Sequence, residues 1–527
     1  MTPHRRLVVV LLLTLTPAAA AGASTVPPGF TDSRVVGPDP DTGVTVPVAL
    51  AFHPGTGEPW VAEKGQGTSP SSARIRRVDP AAGTAATVMT LECVDSRGER
   101  GVLNLAFEPH DPDAAYLYLF YTRRFESSGA CFLSGRPAGS RNIVSRIPLN
   151  GAAGPAPELM EIVLEGPSLS SQSEIHNGGG LAFLPDGTLL ASMGDAGLDP
   201  FNQPVSRDPG DLRGKVLRIR PDGTIPGDNP LIGKAGARPE IYAMGFRNPF
   251  RLSVDPQDGI ALAADVGESS WEEIDLLLPG ADYGWPCREA SATFVNCMPA
   301  PPQGSLVDPV FAYSHSSVSP PVSGRSVTGG PFYTATAFPA EYHGSYFFAD
   351  YVRGWIRRAR VGPGGAFDQV EQFASGVEGP VDLKVGPDGC LYYAAIIGSE
   401  VRRACYAGGD NGQPAALATA APAGGPAPLE VFFHGGDSSD PDGDPLNFTW
   451  HFGDGSASVR KRPSHIYSTP GVYSATLIVD DGSGEPNSAD ASAPLRIVAG
   501  NDPPDAAIVA PAAGARYQAG QAVTFEG

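Results

Sequence analysis

One pattern recurs through most of this chain: an apolar-x-apolar strand running into Pro, a turn containing Gly, then a second apolar strand. It is written as VALAFHPGTGEPWVAEK from Val48, LAFEPHDPDAAYLYLFYT from Leu105, LAFLPDGTLLASMGD from Leu181, LSVDPQDGIALAADVG from Leu252 and LKVGPDGCLYYAAI from Leu383, with a looser copy, GPFYTATAFPAEYHGSYFFADY, from Gly330. Period-two alternation with Pro and Gly at the turn predicts a β-hairpin in each case. A further strand follows every hairpin: ARIRRVDP, IVSRIPLN, KVLRIRPDG, EEIDLLLPG, GWIRRARVG and SEVRRACY. Six hairpins with six outer strands predict six sheets at about 60 residues per unit, which is propeller spacing with long inserted loops. The expected fold class is therefore all-β, a six-bladed β-propeller over residues 30–410. A solenoid would need tighter, more uniform repeats and capping ends.

Composition agrees with turn-rich β structure. The 65 Gly and 54 Pro punctuate apolar runs instead of replacing them. The formal net charge of −20 gives no basic footprint for phosphates, so nucleic acid is not expected as a partner. Residues 1–23 read as a signal peptide: His4-Arg5-Arg6, the apolar run Leu7–Leu15, then a small-residue stretch ending Ala21-Gly22-Ala23, with cleavage before Ser24. An uncleaved anchor is the alternative. No later segment is apolar enough to span a bilayer, so a secreted or extracytoplasmic chain that does not cross a membrane is expected. Export permits disulfides, and proximity in sequence suggests Cys93–Cys131, Cys287–Cys297 and Cys390–Cys405. No Cys-x-x-Cys pair exists to suggest zinc.

From Gln413 the chain becomes a Pro/Ala/Gly-rich linker and then a different β pattern. SSDPDGDPLNFTWHFGDG and PSHIYSTPGVYSATLIVDDG resemble a PKD domain, which implies an immunoglobulin-like β-sandwich over 411–499 and a contact module for a cell surface or matrix. Asp440, Asp442 and Asp444 alternate as calcium ligands do, or serve as turn formers; His465 is expected to pack. Residues 500–527 look like the opening of a further β domain, cut short.

The chemistry is concentrated in the loops between blades. G-x-S-x-G, G-x-G-x-x-G, P-loop and H-E-x-x-H motifs are all absent, which argues against the common hydrolases, NAD enzymes, NTPases and zincins. GERGVLNLAFEP, EIHNGGGLAFLPDGTLLASMGDAG, GKVLRIRPDGTIPGDNP, ARPEIYAMGFRNPFRLSVDP, ADVGESSWEEIDLLLPGADYGW and SVTGGPFY, in this order, resemble the glucose/sorbosone dehydrogenase family of soluble, PQQ-dependent sugar dehydrogenases. The resemblance implies an aldose substrate, PQQ, calcium and an external electron acceptor. It implies that His176 is the general base on the anomeric hydroxyl and that Asp195 orients His176 or faces the cofactor. Imidazole chemistry suits the base role. It places Glu99, Arg247 and Asn248 against the quinone, Gly267 and Glu268 as carbonyl donors beside it, and Glu273 with the Tyr283 carbonyl around a structural calcium.

Two departures from the quinone-binding branch are visible. Where that branch carries a close arginine pair, this chain reads GVEGPVDLKVG, with Glu378 and Asp382; its cofactor lysine has no counterpart in TGGPFYTATAF. Arg325 is the nearest substitute. Two readings follow besides the dehydrogenase: a non-catalytic secreted propeller that binds carbohydrate or protein, with PKD as adhesion module, and a lactonase-like calcium propeller.

Overall fold

The computed structural model describes residues 24–109, 115–149, 154–171, 173–198, 205–294, 305–316, 322–407, 413–441, 445–482 and 488–500, together with 516 and 522–524. The signal segment, Cys297, Asp442, Asp444 and all but four residues of the 501–527 tail lie outside them. The chain divides into two compact units, Met1–Tyr406 and Ala407–Gly527. Among the described residues the architecture is all-β, broken only by three-residue 3₁₀ turns.

The first unit is a ring of six four-stranded antiparallel blades, the first two joined into one eight-stranded sheet by the pairing of Val94 with Arg123. Blade 1 is Pro47–Phe52, Pro59–Glu63, Ser71–Asp79 and Thr84–Val94; blade 2 is Val102–Phe107, Tyr116–Phe125, Gly139–Pro148 and Glu161–Leu169. Blade 3 is Leu181–Phe183, Leu189–Met193, Lys215–Ile219 and Ile241–Met244; blade 4 is Pro249–Val254, Ala261–Asp265, Trp271–Leu276 and Phe311–Ser314. Blade 5 is Val327–Phe332, Ser345–Asp350, Trp355–Val361 and Phe367–Ser375. Blade 6 takes Pro380–Val385, Leu391–Ala395 and Glu400–Tyr406 from the end of the unit and Phe30–Val36 from its start, with Phe30 opposite Tyr406. The ring is thus closed by pairing its two ends.

The predicted hairpins are the two inner strands of each blade and the predicted following strands are the third. The fourth strands are the addition. Thr84–Val94 shows why they escape notice: only one of its faces is consistently covered, so its sequence lacks a strong apolar signal. The first strands of successive blades pack side by side around the axis. An apolar cluster fills each of the six blade-to-blade seams, such as Trp60, Leu105 and Tyr121 between blades 1 and 2 and Leu190, Val216 and Leu252 between blades 3 and 4. Burying seams of this kind, at about 25 cal/mol per Å² of apolar surface, is what holds a propeller together.

Cys93–Cys131 and Cys390–Cys405 are disulfides, with Cα atoms 5.4 and 4.6 Å apart. Cys287 is also disulfide-bonded. In the second unit, a three-stranded sheet (Thr419–Ala421, Leu429–His434, Ser464–Tyr467) packs through Val431 and Phe433 on Trp450, Leu477 and Val479 of a second sheet built on Asn447–His451, Gly471–Asp480 and Leu495–Ala499. His465 stacks on Phe452 with ring centroids 4.3 Å apart, so it packs as expected.

Candidate active site

Blade 3 begins with the loop that carries His176. Gly178 has φ +70°, and a Cβ there would lie 2.7 Å from the Ser192 carbonyl oxygen and 2.8 Å from the Gly194 nitrogen. The glycine run therefore lets the entry loop lie directly on the strand that returns with Asp195. His176 itself is left-handed, with φ 54°, and is buried. That conformation is costly for a residue with a Cβ and persists only when neighbours fix it. The His176 N–H donates to Glu99 Oε2 at 2.7 Å, and the Ala196 N–H donates to the His176 carbonyl at 3.1 Å.

The imidazole Nδ1 lies 2.7 Å from Asp195 Oδ1. Asp195 is fully buried and accepts two further hydrogen bonds, from Gly197 N–H at 2.7 Å and from Trp285 Nε1–H at 3.0 Å. A carboxylate can only accept, so Nδ1 is the protonated nitrogen, and in the neutral form of the ring Nε2 carries the free lone pair. Nε2 has no hydrogen-bond partner among the described residues. An oriented imidazole with one nitrogen tied to a buried aspartate is the arrangement of a general base.

Arg247 and Asn248 enter from the loop before blade 4. Their backbone N–H groups donate to Asp265 Oδ2 and Oδ1 at 2.8 and 2.6 Å, and the Arg247 carbonyl accepts from Asp195 N–H at 2.8 Å. Asn248 Oδ1 accepts from Gly178 N–H at 2.9 Å, which leaves its amide nitrogen for a ligand. The Arg247 guanidinium is engaged: it pairs with Glu268 Oε2, donates to the Val266 carbonyl at 2.8 Å and lies 5.6 Å above the Trp285 ring. Glu99, His176, Asp195, Arg247, Asn248 and Glu268 are thus joined by direct contacts through three blade entries.

Gly267 and Glu268 lie in a loop wrapped around the Glu289 carboxylate, whose Oε1 accepts from the N–H groups of residues 268, 269, 270 and 271 at 2.8 to 3.1 Å. Glu273 faces Asp265 across the strand pair, and Asp275 is two residues along on the same face. Ligand oxygens of Asp265, Glu273 and Asp275 all lie within 4.8 Å of one another, fully enclosed. Burial pushes Asp265 up to about 7 against the opposing Arg247 and Asn248 amides, and burial with mutual repulsion pushes Glu273 and Asp275 well above the ordinary carboxylate range. Both Asp275 oxygens lack a hydrogen-bond donor. Tyr283 stacks on Phe246 at 4.7 Å and its carbonyl accepts no hydrogen bond among the described residues.

Sequence reasoning passed over four participants. Trp285 lies within the DYGW segment yet serves Asp195. Asp265 and Asp275 read as ordinary polar positions of a hairpin and its follower. Lys64, just past the second strand of blade 1 as Asp195 is past that of blade 3, donates to the Ser96 carbonyl at 2.9 Å. Burial holds it down at about 8 against the attraction of Glu99, Asp95 and Glu174. The acidic departures have separate fates. Asp382 is fully buried and ties three blades, pairing with Arg251 at 3.3 Å and Lys384 at 2.9 Å and accepting from Leu50 N–H at 2.8 Å. Glu378 is half-buried, and Arg325 is exposed.

A profile of the glucose/sorbosone dehydrogenase family matches residues 44–396, and one of the PKD domain matches 411–496. The chain belongs to the glucose/sorbosone dehydrogenase family. Within that family it is 30% identical to the HIPL2 protein of Arabidopsis thaliana over 48% of this chain and 40% of that protein, so it spans less than half the length of that relative. It is 25% identical to an aldose sugar dehydrogenase of Escherichia coli over 66% of this chain and 86% of the other. The crystal structure of a putative oxidoreductase (glucose dehydrogenase) from Thermus thermophilus superposes with a TM-score of 0.55 at 28% identity, covering 71% of this chain and 99% of that one. No helix among the described residues is long and apolar enough to cross a membrane.

Proposed function

We propose that the propeller is an extracytoplasmic aldose dehydrogenase in which His176 is the general base. The observation that carries this reading is the His176–Asp195 pair, 2.7 Å apart and buried, with Nε2 left free. Asp195 holds the Nδ1 proton, so the lone pair on Nε2 is the one that takes the anomeric hydroxyl proton of an aldose. Asp195, itself fixed by Trp285, then stabilises the imidazolium that forms. A positioned base of this kind contributes roughly 10²–10⁴-fold.

The donor set fits calcium: three buried carboxylates, with both oxygens of Asp275 orphaned, call for a hard cation. Asp265, Glu273 and Asp275 would hold one ion with the Tyr283 carbonyl, and the Gly267 and Glu268 carbonyls a second beside the cofactor. Asn248, Arg247 and Lys64 are the groups that would hold PQQ, which when bound supplies a hydride acceptor. For that, Arg247 must exchange Glu268 for a cofactor carboxylate. The disulfides suit an oxidising compartment. The sandwich is read as a module for a cell-surface or matrix partner.

A second reading, a propeller that binds glycan or protein without catalysis, is favoured by the same Arg247–Glu268 pair, since a guanidinium already neutralised offers less to an anionic cofactor. One experiment separates them. The protein loaded with PQQ and calcium should reduce an artificial dye with aldoses, and His176→Ala should abolish turnover while PQQ still binds by calorimetry. No turnover with any aldose, or turnover indifferent to His176→Ala, refutes the dehydrogenase.

A further inference from the structure

The G-E-R-G segment, Gly98–Gly101, precedes blade 2, yet most of its contacts are with the loop of blade 3. Arg100 is 1% exposed and pairs with Asp95 at 2.8 Å. Its other guanidinium nitrogen donates to the carbonyls of Ser170 and Ser173 at 2.5 and 2.7 Å. Asp95 is held in turn by Ser140 Oγ at 2.7 Å and Arg97 at 2.9 Å. The next contacts along the same loop belong to Glu99: its N–H donates to the Glu174 carbonyl at 2.9 Å, and its carboxylate accepts the His176 N–H at 2.7 Å. The two side chains therefore hold the approach to the base at both ends, Arg100 through the Ser170 and Ser173 carbonyls and Glu99 through the amide of the base itself.

The flanking glycines make that fit possible. A Cβ on Gly98 would lie 2.6 Å from the Glu174 Cβ, and one on Gly101 would lie 2.3 Å from the Lys64 carbonyl oxygen. Their φ values, +54° and +139°, are also ones that a side chain resists. The segment is threaded between blade 1 and the His176 loop with no room for a larger residue at either end.

We propose that Gly98–Gly101 is a clamp in which Glu99 and Arg100 are positioning residues for His176. The clamp keeps His176 in its left-handed conformation so that Nδ1 meets Asp195 and Nε2 stays free. This rests on the reading of His176 as base. The work is done by the acceptor oxygen of Glu99, not by its charge: the buried amide of a strained residue needs a partner, and a glutamine oxygen serves as well. Without the acceptor, the ring swings on its backbone and the Asp195 hydrogen bond lengthens. Misplacing a reacting group by about 1 Å costs on the order of 100-fold in rate.

The test is proton NMR of the intact chain without cofactor or sugar, following the far-downfield Nδ1 proton of His176, assigned by its absence in His176→Ala. Glu99→Ala and Arg100→Lys should each broaden or abolish that signal, whereas Glu99→Gln should retain it. Glu99 is exposed, so its variants fold even where Arg100→Lys does not. In turnover, Glu99→Ala should lower kcat roughly 10–100-fold with little change in KM. An unchanged proton signal in Glu99→Ala overturns the clamp, as does its loss in Glu99→Gln to the same degree as in Glu99→Ala. Because the NMR readout needs no turnover, a wild-type protein that oxidises no aldose would refute the dehydrogenase and still leave the clamp decided.

Discussion

Removing calcium should destabilise the propeller, and Asp275→Asn should remove that dependence. Asp265, Glu273 and Asp275 converge within 4.8 Å in a seam between blades, and Asp275 has no hydrogen-bond donor to either oxygen. Like charges opposed across a strand pair are destabilising, and enclosure sharpens the cost. A divalent cation satisfies the three carboxylates together without the proton uptake that their raised pKa values otherwise favour. A ligand at about a hundred times its Kd stabilises by about 2.7 kcal/mol. A unit extending to Tyr406 unfolds with an entropy of about 0.8 kcal/mol per kelvin, so saturating calcium should raise Tm by about 3 °C over chelator. Asp275→Asn removes a ligand and a repulsion together: it should raise Tm in chelator and shrink the calcium shift to below about 1 °C. Differential scanning calorimetry near neutral pH reads both. Equal Tm in calcium and chelator, or a full calcium shift retained by Asp275→Asn, would refute the assignment.

Asp195→Asn should lower kcat by about 10–150-fold with KM little changed, since it loses a charge-assisted hydrogen bond of about 1.5–3 kcal/mol to His176; a loss below about threefold in dye-linked assay contradicts the orienting role. Lys64 has its pKa lowered to about 8 in the folded chain, below its ordinary 10.5, so the cost of burying its charge is present below pH 8 and relieved as pH rises from 8 to 10.5. Lys64→Met should therefore stabilise the propeller by about 1–3 kcal/mol near pH 7 and by nothing at the alkaline end of that window, read by urea unfolding at a series of pH values. Trp450→Ala should cost the sandwich about 3–5 kcal/mol, because the ring is wholly buried against Phe433; near-UV circular dichroism and calorimetry follow it.

The inner three strands of every blade were legible because a propeller buries both faces of its inner strands, and the apolar alternation with its Pro-Gly turn repeats with each blade. The His176 motif was legible for a similar reason: a glycine run before a hairpin marks a place where backbone must touch backbone. The outermost strands were not, since one covered face leaves too few apolar positions to stand out. Nor was the ring closure by Phe30–Val36, whose partner is some 370 residues away in sequence.

The acidic trio was hidden for a different reason. In EEIDLL, Glu273 and Asp275 alternate with Glu272 and Ile274, which in an isolated hairpin reads as one apolar face and one solvated face. A propeller has no solvated face there, because blade 3 packs over the Ala263 and Leu277 side of blade 4. Carboxylates that look like surface residues in sequence thus end in a closed seam, opposite Asp265. Such a position is expensive unless something positive occupies it, and no cation of the chain pairs with Asp275 among the described residues. Alternation in a propeller strand should therefore be read against the neighbouring blade: a polar position facing a seam is evidence for a bound ion or a hydrogen-bond network, whereas the same residue on an outermost strand is evidence only for water.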